Sequence, residues 1–288
     1  MIHTFKDKEN QSREAYKRAF RFRQANKIPL TYPLNAIDLA EKSGLEVRLQ
    51  NLPSTEGLYY RGSENATIIL SNLRPSGRIN FSCAHELGHH VFGHGNSIHE
   101  FFEHHTKFEK NTEEYLADFF AGHLLMPEVA IRDAFKNFSY SKKLNSKEAY
   151  ILSTFFRVGY STLINHLYFS QKLLSKLNAE SLLRESPQNI KSEILQAKCS
   201  DNLIVFSESF GNLPIDLRTK DIIFLPDHLT VDGKNVEFLK KNANGNFFIS
   251  IKPGLSRILS KTSDFATYLR IAKFDFEGRA RYRHLEEE

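Results

Sequence analysis

Ala84-His85-Glu86-Leu87-Gly88-His89 is the stretch on which the reading of this chain turns. It carries the pattern His-Glu-x-x-His on a helix predicted to begin near Phe81 or Ser82 and to stop at Gly93 or Gly95. Residues four apart on a helix lie roughly 40° apart around the axis, one turn above the other. His85 and His89 can therefore offer two imidazole nitrogens to one ion. Glu86 sits about 100° further round. From there its carboxylate can reach a metal-bound water without ligating the metal. The pattern points to Zn2+ and to peptide hydrolysis, with Glu86 as general base.

A catalytic zinc takes three protein ligands and keeps one position open. The best third candidate is Glu114, on a helix predicted over Thr112–Leu125, with Thr112 as N-cap and Pro127 as the stop. Asp118 lies four residues later on the same face. It is placed to accept the free ring N–H of a ligand histidine and so fix its tautomer. Glu113 is the alternative third ligand. Three-histidine zinc proteases place the last histidine ten residues after the first and a glycine seven after it. Here those positions hold Gly95 and Phe92. His94 misses by one residue and is expected to support the site rather than ligate. Tyr59, Tyr60, Tyr115 and His123 are all candidates for an oxyanion donor, and the sequence does not choose among them.

The run from Arg78 to His89, together with Glu114-Tyr-Leu-Ala-Asp118-Phe-Phe-Ala-Gly-His-Leu-Leu-Met-Pro127, resembles the ImmA/IrrE family of metallopeptidases. His94 sits where many members carry a further histidine. The likeness covers about the first 135 residues and fades afterwards. It implies His85, His89 and Glu114 as zinc ligands and Glu86 as the base. It also implies a gluzincin-like fold and cleavage of a DNA-binding repressor. The order of parts is similar to the IrrE branch: peptidase, helix-turn-helix-like segment, then a sensor-like domain.

Around this centre the expected class is α+β. A mostly helical zincin-like domain spans 1–135, a helical connector 136–198, and a small mixed α/β domain 199–288. Helices are predicted over 10–26 and 33–43, the latter ended by Gly44. Short strands are predicted over 45–49, 57–61 and 66–70, with Gly62–Asn65 as a hairpin turn. Residues 66–70 are a possible edge for an extended substrate. Pro75-Ser76-Gly77 reads as a turn, and the His-rich segment from Asn96 to Asn111 as a loop with some helical character. Further strands are predicted over 203–206, 222–225 and 247–251, with hairpin turns at Asp232-Gly233 and Asn244-Gly245. A last helix is predicted over 255–271.

Tyr150 to Leu167 has helix-turn-helix texture, Gly159 making the turn and Ser161 capping the second helix. That second helix brings no Arg or Lys before Lys172, so packing is favoured over DNA reading. The formal charge of +5 permits contact with nucleic acid without arguing for it. Arg279-Ala-Arg-Tyr-Arg-His284 reads as a solvated basic tail. Cys83 and Cys199, the only cysteines of the 288 residues, are too few for a disulfide scaffold. Cys83 is expected on the helix face away from the ligands. The start is polar, and no run approaches the roughly 18 apolar residues of a membrane span. These features predict a cytoplasmic protein with no membrane partner. The leading functional reading is a zinc endopeptidase that cleaves a repressor in a stress or mobile-element response. The alternatives are a DNA-binding or partner-sequestering regulator without turnover, and a toxin–antitoxin or phage-defence component. Oligomeric state is not readable.

Overall fold

The computed structural model describes residues 5–62, 65–100, 112–141 and 143–285. Helix α1 (Phe5–Ala25) leads into α2 (Ala36–Lys42), whose cap is Asn35: its side chain accepts from the backbone N–H groups of Ile37 and Asp38. Then come β1 (Glu46–Gln50), β2 (Thr55–Arg61), β3 (Ala66–Ser71), α3 (Ser76–Phe92), β4 (Ser97–Glu100) and α4 (Thr112–Leu125). The connector holds α5 (Glu128–Asn137), α6 (Ser146–Phe155), α7 (Tyr160–Asn165), α8 (Lys176–Arg184) and α9 (Pro187–Leu195). The last part holds β5 (Leu203–Val205), β6 (Ile215–Arg218), β7 (Ile222–Pro226), β8 (Leu229–Asp232), β9 (Val236–Asn242), β10 (Gly245–Ser250), β11 (Gly254–Ser260), β12 (Ala266–Ala272) and β13 (Gly278–Arg279). The architecture is mixed α and β.

The first sheet runs β13-β1-β3-β2-β4. The β1–β3 pair is parallel and its other pairs are antiparallel. Strand β3 is therefore interior, which removes it as a substrate edge. Among the described residues that edge is β4. Residues 97–100 of the segment read as a loop form this strand, while His104, His105 and the rest of 101–111 lie outside the described residues, as do Ser63 and Glu64 of the expected hairpin.

Helix α3 starts at Ser76, well before Phe81. Pro75 is its N-cap, and Ser76-Gly77 form its first turn instead of a loop. Gly77 is there because the helix meets the connector backbone: a Cβ would stand 2.6 Å from the carbonyl carbon of Val158. The helix ends at Gly93, whose φ of 72° suits glycine. Asn80 knits the same region together. Its side chain accepts from Ala36 N–H at 2.7 Å and donates to the carbonyls of Leu34 and Arg157 at 3.3 and 3.0 Å.

The expected helix over 255–271 is two antiparallel strands, β11 and β12. Gly254, Ser256 and Ile258 are buried while Leu255 and Arg257 are exposed; Thr267, Leu269 and Ile271 repeat the alternation. That period of two belongs to a strand, and it outweighs the mixed apolar content that suggested a helix. The part after Cys199 is consequently not mixed α/β. Among the described residues it has strands and two 3-10 turns, in sheets ordered β5-β7-β10-β9 and β6-β12-β11-β8. Asp232-Gly233 joins strands of different sheets and is not a hairpin. Asn244-Gly245 does close one, between β9 and β10.

The basic run at the end is docked rather than a free tail. Strand β13 pairs with β1, Arg279 faces Glu46 at 3.3 Å, and buried Arg283 meets Asp38 at 2.6 Å. Ser161 does not cap α7; Gly159 is the N-cap, without a side-chain bond. The apolar residues Tyr160, Leu163 and Ile164 of α7 are buried, and Tyr150 of α6 donates to the Leu203 carbonyl at 2.5 Å. The connector thus packs against both neighbouring parts.

Arg23 pins α1 to the helix that carries Glu114. It is fully buried, and donates to the carbonyls of Leu124 at 2.8 Å, Pro29 at 2.7 Å and Tyr32 at 3.0 Å. Burial lowers its guanidinium to about 10. Arg23→Ala strands three carbonyls and opens a cavity, and is expected to cost about 2–4 kcal/mol, read from the urea midpoint.

Candidate metal centre

Helix α3 carries its reactive residues inward. His85, Glu86 and His89 are all buried, because α3 lies between the first sheet and α4. Nε2 of His85 and Nε2 of His89 face each other at 3.1 Å. The Glu114 carboxylate closes the triangle, Oε2 standing 3.4 Å from Nε2 of His85 and Oε1 3.4 Å from Nε2 of His89. One ligand atom from each residue lies within 4.8 Å of the others. Glu113, the alternative, is exposed on α4 and outside this group.

The surroundings fit a cation. Nδ1 of His85 stands 2.9 Å from Oδ1 of Asp118, an acceptor, so the neutral ring carries its proton on Nδ1 and turns the lone pair of Nε2 inward. Nδ1 of His89 meets Nδ1 of His94 at 2.9 Å; with His94 as the acceptor, the second ring is held in the same sense. Lone pairs that converge beside a carboxylate repel one another unless a positive charge lies between them. The His85 ring tells the same story: burial pulls it down, but Asp118 and Glu114 outweigh burial and raise it to about 10. The two carboxylates thus favour positive charge at this ring. Glu114 is held below the usual carboxylate range: burial opposes this, and its pairing with the His85 and His89 rings prevails. Asp118→Ala is expected to weaken metal binding at this group about 10–100-fold, measured by chelator competition.

Glu86 differs from Glu114. Burial raises its carboxyl, with His85, Ser97 and His89 pulling the other way. Ser97 on β4 donates to Oε2 at 2.8 Å. Among the described residues, no donor reaches buried Oε1. One oxygen is thus held and the other is free to take a proton. Ser97 carried no signal in the sequence, since its segment read as an irregular loop.

Residues 40–168 match the peptidase M78 family model, described as the IrrE N-terminal-like domain. The chain contains a peptidase M78 domain. No curated protein matches the chain. The M78 match reaches into α7, past residue 135 where the resemblance was expected to fade.

Of the oxyanion candidates, Tyr59 is buried with its hydroxyl 2.9 Å from Nδ1 of His90. His123 turns toward α1, where Nε2 meets the Ser12 hydroxyl at 3.1 Å. Both are engaged elsewhere. Tyr60 is exposed on β2, and Tyr115 is half-buried on α4. Cys83 is fully buried, and burial drives its thiol far above the ordinary value. Cys199 is also free and buried.

Proposed function

We propose that the M78 domain is a zincin-like zinc endopeptidase. In this reading His85, His89 and Glu114 hold the metal, Asp118 and His94 orient the two rings, and Glu86 is the general base. The single observation that carries it is the convergence of two Nε2 lone pairs and one carboxylate beside a buried glutamate with one free oxygen. Zinc, when bound, supplies Lewis acidity toward a peptide carbonyl and lowers the pKa of water. Glu86 takes a proton at Oε1 and returns it to the leaving amine. Burial raises the Glu86 carboxyl, which makes its carboxylate a stronger proton acceptor. Among the described residues β4 is paired on one side only, and its other side offers backbone groups to an extended substrate chain.

The substrate proposed is a DNA-binding repressor, cut in the cytoplasm during a stress or mobile-element response. No helix among the described residues is long and apolar enough to cross a membrane. The buried apolar face of α7 supports packing of the connector over DNA reading. The test is incubation of the purified chain and zinc with the repressor encoded beside its gene. Cleavage that stops with a chelator and returns with zinc is expected. A zinc-loaded chain that leaves that repressor and a whole-proteome digest untouched overturns the reading.

A further inference from the structure

We propose that Ser97 is the positioning residue for Glu86, and that β2 and β4 form a cradle committing one carboxylate oxygen and freeing the other. The proposal rests on the reading of Glu86 as base. Ser97 opens β4, paired with Tyr59 of β2. Its hydroxyl donates to Oε2 of Glu86 at 2.8 Å. Gly57 of β2 makes a second wall. A Cβ there would stand 3.1 Å from Oε1 and 3.2 Å from Cγ of Glu86, closer than an ordinary contact.

Strand β2 is fixed at this spot from the helix side. The β2–β4 register shifts between Thr55 and Gly57, as at a bulge that re-aims a side chain. Glu56, the residue between, is buried. It accepts from the Ser82 hydroxyl at 3.2 Å and pairs with Arg78, both on α3. The helix that carries Glu86 therefore holds the strand that shapes its pocket. A glutamate has three side-chain torsions, and an unanchored carboxylate would let its oxygens trade places. With Oε2 tied to Ser97, Oε1 stays in place before substrate arrives, which is where rate is gained.

The test uses the full chain loaded with cobalt(II) in place of zinc, and acetohydroxamic acid as probe. With cobalt(II) held by His85, His89 and Glu114, the probe would ligate as its anion and Oε1 of Glu86 would accept the O–H proton. Affinity is read from the visible spectrum, and zinc affinity separately by chelator competition. Ser97→Ala is expected to weaken the hydroxamate about tenfold with zinc affinity unchanged, because Oε1 is no longer held in line with the probe, a loss equivalent to about one hydrogen bond. Ser97→Thr keeps the hydroxyl and is expected to restore binding. Gly57→Ala keeps Ser97 but crowds the carboxylate, and is expected to weaken the hydroxamate likewise. It decides the matter if Ser97→Ala does not fold. Wild-type hydroxamate affinity in Ser97→Ala, with Glu86→Gln impaired, overturns the proposal alone. A parallel fall in zinc affinity also overturns it, because it marks a merely structural role. Wild-type affinity in Glu86→Gln removes the base reading and the cradle with it.

Discussion

Glu86→Gln is expected to bind zinc as tightly as the parent chain and to cut its substrate about 10³-fold more slowly. That factor corresponds to about 4 kcal/mol of transition-state stabilisation. The amide replaces the carboxylate atom for atom, so its oxygen still accepts from Ser97. What disappears is the proton acceptor at the free oxygen. The metal group of His85, His89 and Glu114 does not include Glu86, which is why affinity and rate should separate. Zinc content by mass spectrometry and single-turnover cleavage of the repressor measure the two. A variant that cuts at the normal rate would move the base elsewhere.

Asp216→Ala is expected to cost about 3 kcal/mol, because it leaves partly buried Arg157 without this counter-charge and Arg270 with Asp38 alone. Asp216 on β6 receives Arg157 at 2.5 Å, Arg270 of β12 at 2.7 Å and the side chain of Asn35 at 2.8 Å. Arg270 continues to Asp38 of α2 at 2.6 Å. One carboxylate thus ties together the cap of α2, the connector and the final sheet. Burial would raise its carboxyl, but Arg157, Arg270 and Arg283 outweigh burial and hold it well below the usual carboxylate range. A depressed folded value means that this stabilisation is complete above the unfolded pKa of about 4 and is lost as pH falls through the lower folded value. Urea midpoints measured between about pH 7 and pH 3 should fall less steeply in the variant than in the parent. Equal slopes would show that the charge cluster contributes little.

The site was legible where its chemistry is local. A one-turn spacing puts His85 and His89 on one helical face whatever surrounds the helix, and the strength of Glu114-x-x-x-Asp118 as a signal comes from the same periodicity. The early strands were legible too, through alternating residues such as Val47 and Leu49 on β1. Residues 255–271 misled because their apolar positions fit either period until neighbouring strands select one. The basic run at 279–284 misled because charge predicts solvent, and nothing nearby in sequence names Asp38 or Glu46 as its partners.

The sequence by itself determined the helix of the candidate metal group, its partner helix and the residue types that meet there, since helical geometry is fixed by backbone sterics alone. Only the tertiary structure decided which strand forms the edge beside the site, that Ser97 holds one oxygen of Glu86, and that Asp216 locks the final sheet to α2. Those contacts join residues far apart in the chain. Their formation depends on how whole elements pack, a property that no short window of sequence contains.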